Sequence, residues 1–304
     1  MRFPLGIGAF HRHIAAMAGE ESTDYGRVAH VVPGVRRITA PNPGPFTYHG
    51  TGTYILGVGT VAVFDPGPDD EAHVAAVLNA LSGERISHIF ITHNHRDHSP
   101  GALPLAHATG AKIVGCAPID MADDGPRADA AFDAEYRPDH VLCDGEHVEG
   151  DGWTVEAVAT PGHTSNHLCF AWVQQRILFT GDHVMGWSTT VVSPPDGDMA
   201  AYMASLEKLI GRDDRLYLPT HGAPVTNPIR LTRGLLAHRR QRERQILSIL
   251  GNGPSTIAVM VERMYASVDK RLHAAAGRSV LAHLLHLRER RLVAEDDGEW
   301  RLSA

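Results

Sequence analysis

The sequence predicts an α/β fold followed by a smaller, mainly helical unit, and three observations support this. Short apolar strand patterns alternate with helical patterns from about residue 50 to residue 225, which is typical of layered α/β domains. Several of these strands end in histidine or aspartate. From residue 230 onward the pattern becomes basic and helical. We therefore expect a larger domain over residues 1–230 and a smaller one over residues 231–304.

The elements of the larger domain follow from hydrophobic spacing. Residues 50–65 predict two short strands around a glycine-rich turn, ending at Asp65. Residues 69–81 predict a helix, because valines and leucines recur there at helical spacing behind acidic residues. Further strands are predicted at 86–93, 112–118, 153–163, 167–183 and 215–222, and an amphipathic helix at 199–211.

The smaller domain has the pattern of a winged helix. A long basic helix is predicted at 229–250, and further helices at 256–265 and 277–291. Residues 291–302 predict two short strands around Asp-Asp-Gly, which is a hairpin signal. Three helices and a terminal hairpin indicate a winged-helix-like domain.

Composition narrows the class of protein. The chain has 43% hydrophobic and 21% charged residues, which is typical of a globular protein. Its three cysteines include no C-x-x-C pair, which argues against a disulfide framework or a thiolate zinc site and fits a reducing compartment. The first 13 residues lack the apolar core of a signal peptide, and no apolar run is long enough to span a bilayer. We expect a cytoplasmic protein with no membrane contact.

Charge is divided unevenly along the chain. Residues 230–304 hold 14 Lys/Arg and 8 Asp/Glu, whereas residues 1–229 hold 28 − 14 = 14 basic and 35 − 8 = 27 acidic residues. This split suggests two units with different surfaces, the second of which could meet an anion.

The stretch FITHNHRDHS, residues 90–99, places an unusual set of polar side chains directly after an apolar run. Buried imidazoles and carboxylates need partners. His93 and His95 lie at i and i+2, so in an extended chain they face the same side and can hold one ion. Asp97 and His98 follow and can reach a second ion.

Three more polar side chains follow later strands: His163, Asp182 and His221. Together with the first four they form a set of five imidazoles and two carboxylates, which are ligands typical of Zn²⁺ and compatible with Mn²⁺ or Fe²⁺. Seven ligands are too many for one tetrahedral ion. They suit two ions if one carboxylate bridges.

The motifs resemble those of the metallo-beta-lactamase superfamily. The signature T-H-x-H-x-D-H runs from Thr92 to His98, and PGHT, TGD and THG contain His163, Asp182 and His221. Asp65 stands where the family keeps a supporting aspartate, and Thr92 is expected to support the ligands as well. The resemblance covers about residues 45–225 and implies an αββα sandwich with metal ions in a cleft at the sheet edges.

The resemblance also implies a ligand set and a chemistry. One metal would be held by His93, His95 and His163, the other by Asp97, His98 and His221, with Asp182 as the bridge. Two such cations share a water and lower its pKa, so that a bridging hydroxide attacks the substrate. Asp97 and Asp182 are the expected catalytic residues, with Asp97 orienting the hydroxide.

Single residues separate the branches of the family. Classical beta-lactamases carry Cys or Ser at the position of Asp182, and flavodiiron proteins carry Glu at that of His95. The chain is most similar to the lactamase-beta-like hydrolases, which include polyketide-releasing thioesterases and a single-strand endoribonuclease. It departs from them at Gly52, where Asn is usual, and at Asn94, where Trp or a similar residue is usual. Trp187, Ser188 and Thr189 either face the cleft or merely finish a strand.

We therefore expect a binuclear metal-dependent hydrolase acting on a small ester or thioester. One alternative is a single-strand-specific endoribonuclease that guides RNA phosphates with Arg239, Arg240, Arg242 and Arg244. Another is a catalytically inactive regulator that places residues 279–291 in a DNA groove. The small domain could also serve as a lid, a packing element or a homodimer contact.

Overall fold

The computed structural model describes residues 24–119, 121, 131–266 and 269–303. The N-terminal stretch for which no signal peptide is expected lies outside these residues. Within the described part of the chain, none of the helices combines the length and the apolar character that crossing a membrane requires.

The first sheet carries the strands that lead to Asp65 and to the histidine cluster. In sequence order its strands pair antiparallel from β1 to β4 and parallel from β4 to β7. The parallel pairing places the carboxyl ends of β4 and β5 at one edge, so Asp65 and Thr92 emerge side by side. The strands are β1 (Val28–Val32), β2 (Val35–Thr39), β3 (Gly52–Leu56), β4 (Thr60–Phe64), β5 (Arg85–Ile91), β6 (Lys112–Gly115) and β7 (His140–Val141).

The second sheet supplies the remaining strand-end residues. It contains β8 (His147–Glu149), β9 (Thr154–Ala159), β10 (Leu168–Trp172), β11 (Ile177–Gly181) and β12 (Leu216–Pro219), in the order β12-β11-β10-β9-β8. β11 and β12 are parallel, whereas the other pairs are antiparallel. His163 follows β9, Asp182 follows β11 and His221 follows β12.

An aromatic core joins the two sheets. Phe64 of the first sheet stacks on Phe179 of the second at 4.1 Å between ring centroids, and on its neighbour Phe90 at 4.8 Å. Each of these rings is at most 2% exposed. Aromatic pairs of this kind add about 0.5–1.5 kcal/mol each beyond the area they bury. The stack fixes how the two sheets pack face to face. It therefore also fixes the edge of the sandwich at which the polar residues lie.

Helices cover the outer faces and complete an αββα sandwich. α1 (Glu71–Ala80) and α2 (Ala102–Thr109) pack on the first sheet, and α3 (Met199–Ile210) and α4 (Pro228–Leu250) pack on the second. The Asp70 carboxylate caps α1 by accepting from the backbone N–H groups of Ala72 and His73. The expected α/β sandwich is confirmed.

The C-terminal unit has the predicted winged-helix elements: α5 (Ile257–Met264), α6 (His273–Glu289), β13 (Val293–Asp296) and β14 (Glu299–Leu302). Asp297 and Gly298 both have positive φ, 49° and 79°, as a two-residue hairpin turn requires. α4 serves both units, because Leu231 and Leu235 pack with the second sheet whereas Ile246 packs with α5 and α6. The division at residues 230/231 stays a prediction.

Candidate metal centre

Asp65 connects the two sheets beneath the histidine cluster. Its carboxylate accepts hydrogen bonds from the Thr92 backbone N–H (2.9 Å), the Thr92 hydroxyl (2.8 Å) and the Thr220 hydroxyl (2.9 Å). The fourth contact is His98 Nδ1, at 3.0 Å. Asp65 holds a left-handed backbone conformation, with φ of 45°, which only a well-supported position tolerates. The strand ends on both sheets are therefore tied to one buried carboxylate.

Acceptors outside the cluster orient three of its histidines. His98 Nδ1 faces Asp65, His163 Nδ1 donates to the Val191 carbonyl at 2.7 Å, and His221 Nδ1 lies 3.2 Å from the Gly50 carbonyl. In the neutral form of each ring, a proton on Nδ1 leaves the Nε2 lone pair free to bind a metal ion. Metal-binding histidines are typically fixed in this way.

The first group of donor atoms comes from His93, His95 and His163, all buried. His93 Nε2 and His95 Nδ1 lie 3.0 Å apart, and the ligand atoms of all three residues lie within 4.8 Å of one another. The i, i+2 spacing that predicted a shared side for His93 and His95 agrees with this arrangement.

Asp97, His98 and His221 form a second group, whose ligand atoms also lie within 4.8 Å of one another. His221 Nε2 lies 3.2 Å from Asp97 Oδ2, and His98 Nε2 lies 3.7 Å from the same oxygen. A third group, His93, His98 and Asp182, overlaps both. The structure thus brings all seven residues of the predicted ligand set together.

Asp182 lies between the two groups. Its Oδ2 is 3.8 Å from His163 Nε2, while its Oδ1 is 3.5 Å from His98 Nε2 and 3.4 Å from His221 Nε2. One carboxylate oxygen therefore faces each side of the cluster, as a bridging ligand requires.

The donor set fits divalent cations. His98 Nε2, His163 Nε2 and His221 Nε2 are buried and have no hydrogen-bond partner, and the same holds for Asp97 Oδ1 and Asp182 Oδ1. Unpaired buried polar atoms are costly, so their convergence on one point needs a compensating group. Imidazole nitrogens and carboxylate oxygens are ligands of Zn²⁺ and related metals.

The electrostatics of the cluster attract positive charge. Burial alone would raise the pKa values of Asp97 and Asp182, but the charges of His98 and His221 outweigh it and lower both below the ordinary value. Burial opposes protonation of His98, yet Asp97, Asp182 and Asp65 raise the pKa of His98 well above its ordinary value. The carboxylates stay ionised, and the same field favours a cation between them.

Comparison with known proteins gives the family. The sequence profile of the Metallo-beta-lactamase superfamily matches residues 48–221, and that of the Beta-lactamase associated winged helix domain matches residues 256–300. The chain belongs to the metallo-beta-lactamase superfamily. It is a metal-dependent hydrolase with a C-terminal winged-helix domain, as the motifs predicted.

Curated relatives cover most of the chain. The chain is 31% identical over 295 residues to the atrochrysone carboxyl ACP thioesterase of Aspergillus fumigatus, covering 90% of this chain and 87% of that protein. It is 34% identical over 221 residues to the beta-lactamase-like protein 2 homolog of Caenorhabditis elegans, covering 71% and 70% of the two chains.

Solved structures support the same fold. A beta-lactamase domain protein from Burkholderia ambifaria matches with a TM-score of 0.78 at 22% identity, covering 94% of this chain and 96% of that one. A metallo-beta-lactamase family protein from Thermus thermophilus matches with a TM-score of 0.70 at 21% identity, covering 89% and 99%.

His167 is a residue of this metallo-beta-lactamase site that sequence reasoning missed. It is buried, its Nδ1 pairs with the Thr160 hydroxyl at 2.9 Å, and its Nε2 accepts from the Asp182 backbone N–H at 3.2 Å. Burial lowers its pKa well below the ordinary value, so the ring is neutral. His167 therefore fixes the backbone that carries Asp182. The sequence signal that could have identified His167 was its position directly before β10, opposite the end of β11.

Trp187, Ser188 and Thr189 follow the Asp182 loop and are half-buried. They line a pocket beside the metal centre rather than continuing a strand, and the Trp187 ring stacks on Tyr48 at 4.8 Å. They lie outside the strands, and their placement in the substrate cleft stays a prediction.

The two departures from the related hydrolases have structural causes. A Cβ at Gly52 would collide with Nε of the buried Arg37, whose guanidinium donates to the Gly222 carbonyl next to His221. Asn94 is buried and bonds to Ile119 and to Asn166, which ties the loop of the metal ligands to its neighbours. Both residues support the walls of the site.

The arginines considered for RNA binding do not form one exposed surface. Arg239 is 3% exposed and Arg242 is 6% exposed, because α4 packs that face between the two domains. Arg240 and Arg244 are exposed, and Arg240 pairs with Glu207 at 2.6 Å. The RNA alternative and the homodimer contact stay predictions.

Proposed function

We propose that this chain hydrolyses acyl thioesters at a centre of two divalent cations, with Zn²⁺ as the native metal. His93, His95 and His163 would hold one ion, and Asp97, His98 and His221 the other, with Asp182 between them. The observation that carries this proposal is the convergence of buried, unpartnered donor atoms from both sheets on one point. Asp65 and Thr92 support the ligands from behind.

The chemistry divides between the cations and the chain. Bound cations of this kind supply Lewis-acid polarisation and lower the pKa of water towards neutrality. Asp97 Oδ1, which is buried and has no partner, is placed to accept a hydrogen bond from the attacking water and to orient it. His98 and His221 hold Asp97 in position from its Oδ2 side. The carboxylate therefore directs the nucleophile.

A thioester is favoured over a beta-lactam on two grounds. The chain has Asp182 at the bridging position, whereas classical beta-lactamases of the family carry Cys or Ser there. The relative with 31% identity over most of both chains is named as an acyl carrier protein thioesterase. A cytoplasmic location belongs to the same proposal, because Cys116, Cys143 and Cys169 are free thiols that fit a reducing compartment.

The decisive experiment is hydrolysis of an octanoyl thioester of N-acetylcysteamine by zinc-loaded protein. Loss of the thioester absorbance should be followed directly, because the exposed Cys143 would consume a thiol reagent. We expect turnover in the wild type and in Asp213→Ala, an exposed aspartate far from the centre, and none in Asp97→Ala.

Two further measurements complete the test: the zinc content of the protein and an assay of RNA cleavage. Two equivalents of zinc per chain should accompany full activity, and a chelator should remove both. One equivalent at full activity would contradict the binuclear part of the proposal. An intact thioester with two equivalents bound would overturn the thioesterase. Cleavage of end-labelled single-stranded RNA that Asp97→Ala abolishes would replace it with the ribonuclease.

A further inference from the structure

A pocket of about 530 Å³ lies where the two domains meet. Its walls come from the loop at residues 44–48, from residues 185–191 behind Asp182, from α4, and from the C-terminal unit around Tyr265 and Ala276. We refer to it as the junction pocket. Its volume falls within the range of sites that enclose small molecules.

The lining of the junction pocket is mainly apolar and aromatic. Three large apolar residues that border it remain exposed: Phe46 (37%), Tyr48 (40%) and Leu272 (43%). Large apolar side chains gathered at one concave surface mark a binding site more often than a chance arrangement. The Nε1 donor of Trp187 is buried there without a partner.

Two buried cations form the floor of the pocket on α4. Arg239 lies over the Tyr202 ring and donates to the Thr190 carbonyl at 2.5 Å, and Arg242 lies over the Tyr265 ring. Among the described residues, neither guanidinium has a carboxylate within 4.0 Å. A buried cation without a counter-charge is costly, so an anionic group is expected to complete the site.

The junction pocket adjoins the metal centre through the segment at residues 187–191. The Val191 carbonyl accepts from His163 Nδ1 at 2.7 Å, and the Thr190 hydroxyl donates to the Asp182 carbonyl at 2.7 Å. The junction pocket and the metal centre thus share this segment.

We propose that the junction pocket binds the apolar body of a substrate whose reacting bond lies at the metal centre, and that Arg239 and Arg242 pair with an anionic group on it. This inference rests on the proposed thioesterase function. The anion could be a carboxylate at the far end of the acyl group or the phosphate of a pantetheine arm. In either case the winged-helix domain supplies part of the substrate site through Tyr265, Leu272 and Ala276.

Substrate pairs that differ only in charge test this proposal. We would compare kcat/KM for an octanoyl thioester with that for the ω-carboxylated eight-carbon analogue, and for octanoyl-pantetheine with that for octanoyl-4′-phosphopantetheine. Hydrogen bonds to charged groups contribute about 1.5–3 kcal/mol, so we expect a preference of roughly tenfold or more for one anionic member. The pair that shows the preference identifies the source of the anion.

Variants of α4 test whether the preference for the anionic substrate arises in the junction pocket. Arg242→Gln should remove most of the preference within the pair, and Arg239→Lys, which keeps the charge but not the planar donor fork, should reduce it less. Arg244→Gln, exposed on the same helix, should keep the preference. Melting temperatures will show whether each variant is folded. Ratios near one in the wild type, or ratios that Arg242→Gln leaves intact, would overturn the inference while leaving thioester hydrolysis itself established.

A binding measurement separates this inference from the proposed function. The anionic fluorophore 8-anilinonaphthalene-1-sulfonate should bind zinc-loaded protein at least tenfold more tightly than neutral N-phenyl-1-naphthylamine, and Arg242→Gln should remove that difference. If no thioester is hydrolysed but this result holds, the proposed function fails and the anion-binding pocket stands. Equal affinity for the two fluorophores overturns the pocket.

Discussion

Two buried clusters of histidine and carboxylate in this molecule have opposite architectures. In the metal centre, Nε2 of three histidines and one oxygen of each of two carboxylates converge on one point without hydrogen bonds: His98, His163, His221, Asp97 and Asp182. In the C-terminal unit, by contrast, the Glu243 carboxylate is itself the centre. It accepts from His286 Nδ1 at 2.6 Å and from Arg290 at 3.3 Å, and His283 Nδ1 lies 3.9 Å away.

The difference lies in where the second ring nitrogen is directed. In the metal centre, Nδ1 of three histidines contacts an acceptor outside the cluster, and Nε2 faces inward: His98, His163 and His221. His286 instead directs Nδ1 to Glu243, an acceptor inside its own cluster. Outward acceptors that fix the tautomer distinguish a ligand set from a structural ion pair.

The largest effect on metal affinity and turnover is expected from Asp182→Ala. The variant removes the carboxylate whose two oxygens face both donor groups, so metal affinity should fall by more than the 10–100-fold typical of supporting residues, and turnover should be abolished. Metal content after gel filtration and thioester hydrolysis measure the two effects. Wild-type activity in this variant would contradict the bridging role.

A smaller effect is expected from Asp65→Asn. Asparagine tolerates the positive φ at this position, but an amide nitrogen cannot accept the hydrogen bonds that the carboxylate accepts from Thr92 and Thr220. Metal affinity should fall about 10–100-fold. Asp70→Asn, which keeps a good helix cap away from the centre, should bind metal as the wild type does. Equal affinities in both variants would refute the supporting role of Asp65.

The fold was predictable where spacing and length were strong. The helix at α3 and the strands that end at Asp65 and Asp182 follow from apolar periodicity, and the structure agrees within a few residues. β1 and β2 were missed, because their mixture of valine, histidine and arginine gives no clean alternation. α2 was missed because Pro104 interrupts a short segment without a side-chain cap.

The site was predictable as a set of ligands but not as a set of contacts. The motifs around His93, His163 and Asp182 identify strand-end donors, and the shared sheet edge explains why these donors meet. His167 carries no motif of its own, since its role depends on pairing between β10 and β11. The burial of Arg239 was equally hidden, because a basic helix looks exposed until its packing partners are known.

Acid should weaken the C-terminal cluster through His283. Burial lowers the pKa of His283 to about 4 from an ordinary 6.5, despite the facing Glu243 of α4 and with the help of Arg239 and Arg242. Below pH 6.5 the unfolded chain therefore takes up a proton that the folded chain refuses, and the free energy of unfolding decreases until about pH 4. The shift corresponds to a loss of about 3 kcal/mol.

His283→Leu isolates this contribution. Urea unfolding of the wild type and the variant, at equal metal loading between pH 7.5 and pH 4, should show a weaker pH dependence in the variant. Groups that do not contact His283, including the metal ligands, affect both proteins alike. Parallel pH profiles would show that His283 does not titrate as its burial requires.

The smallest effect on stability is expected from Glu243→Gln. This variant also tests most directly whether the C-terminal cluster is independent of the metal centre. Burial would raise the pKa of Glu243, but His283 and His286 lower it to about 2, so the ionised carboxylate stabilises the fold at neutral pH. Its replacement should lower the free energy of unfolding by about 1–3 kcal/mol and leave zinc content unchanged.

A loss of zinc in Glu243→Gln would contradict the separation of the two clusters. A physical route for such coupling exists, because α4 carries both Glu243 and Arg239, and Arg239 reaches the Asp182 backbone through Thr190. Unchanged zinc content in a destabilised variant would show that this route transmits no strain. The C-terminal cluster would then act on stability alone, and the metal centre would depend only on the acceptors that orient its histidines.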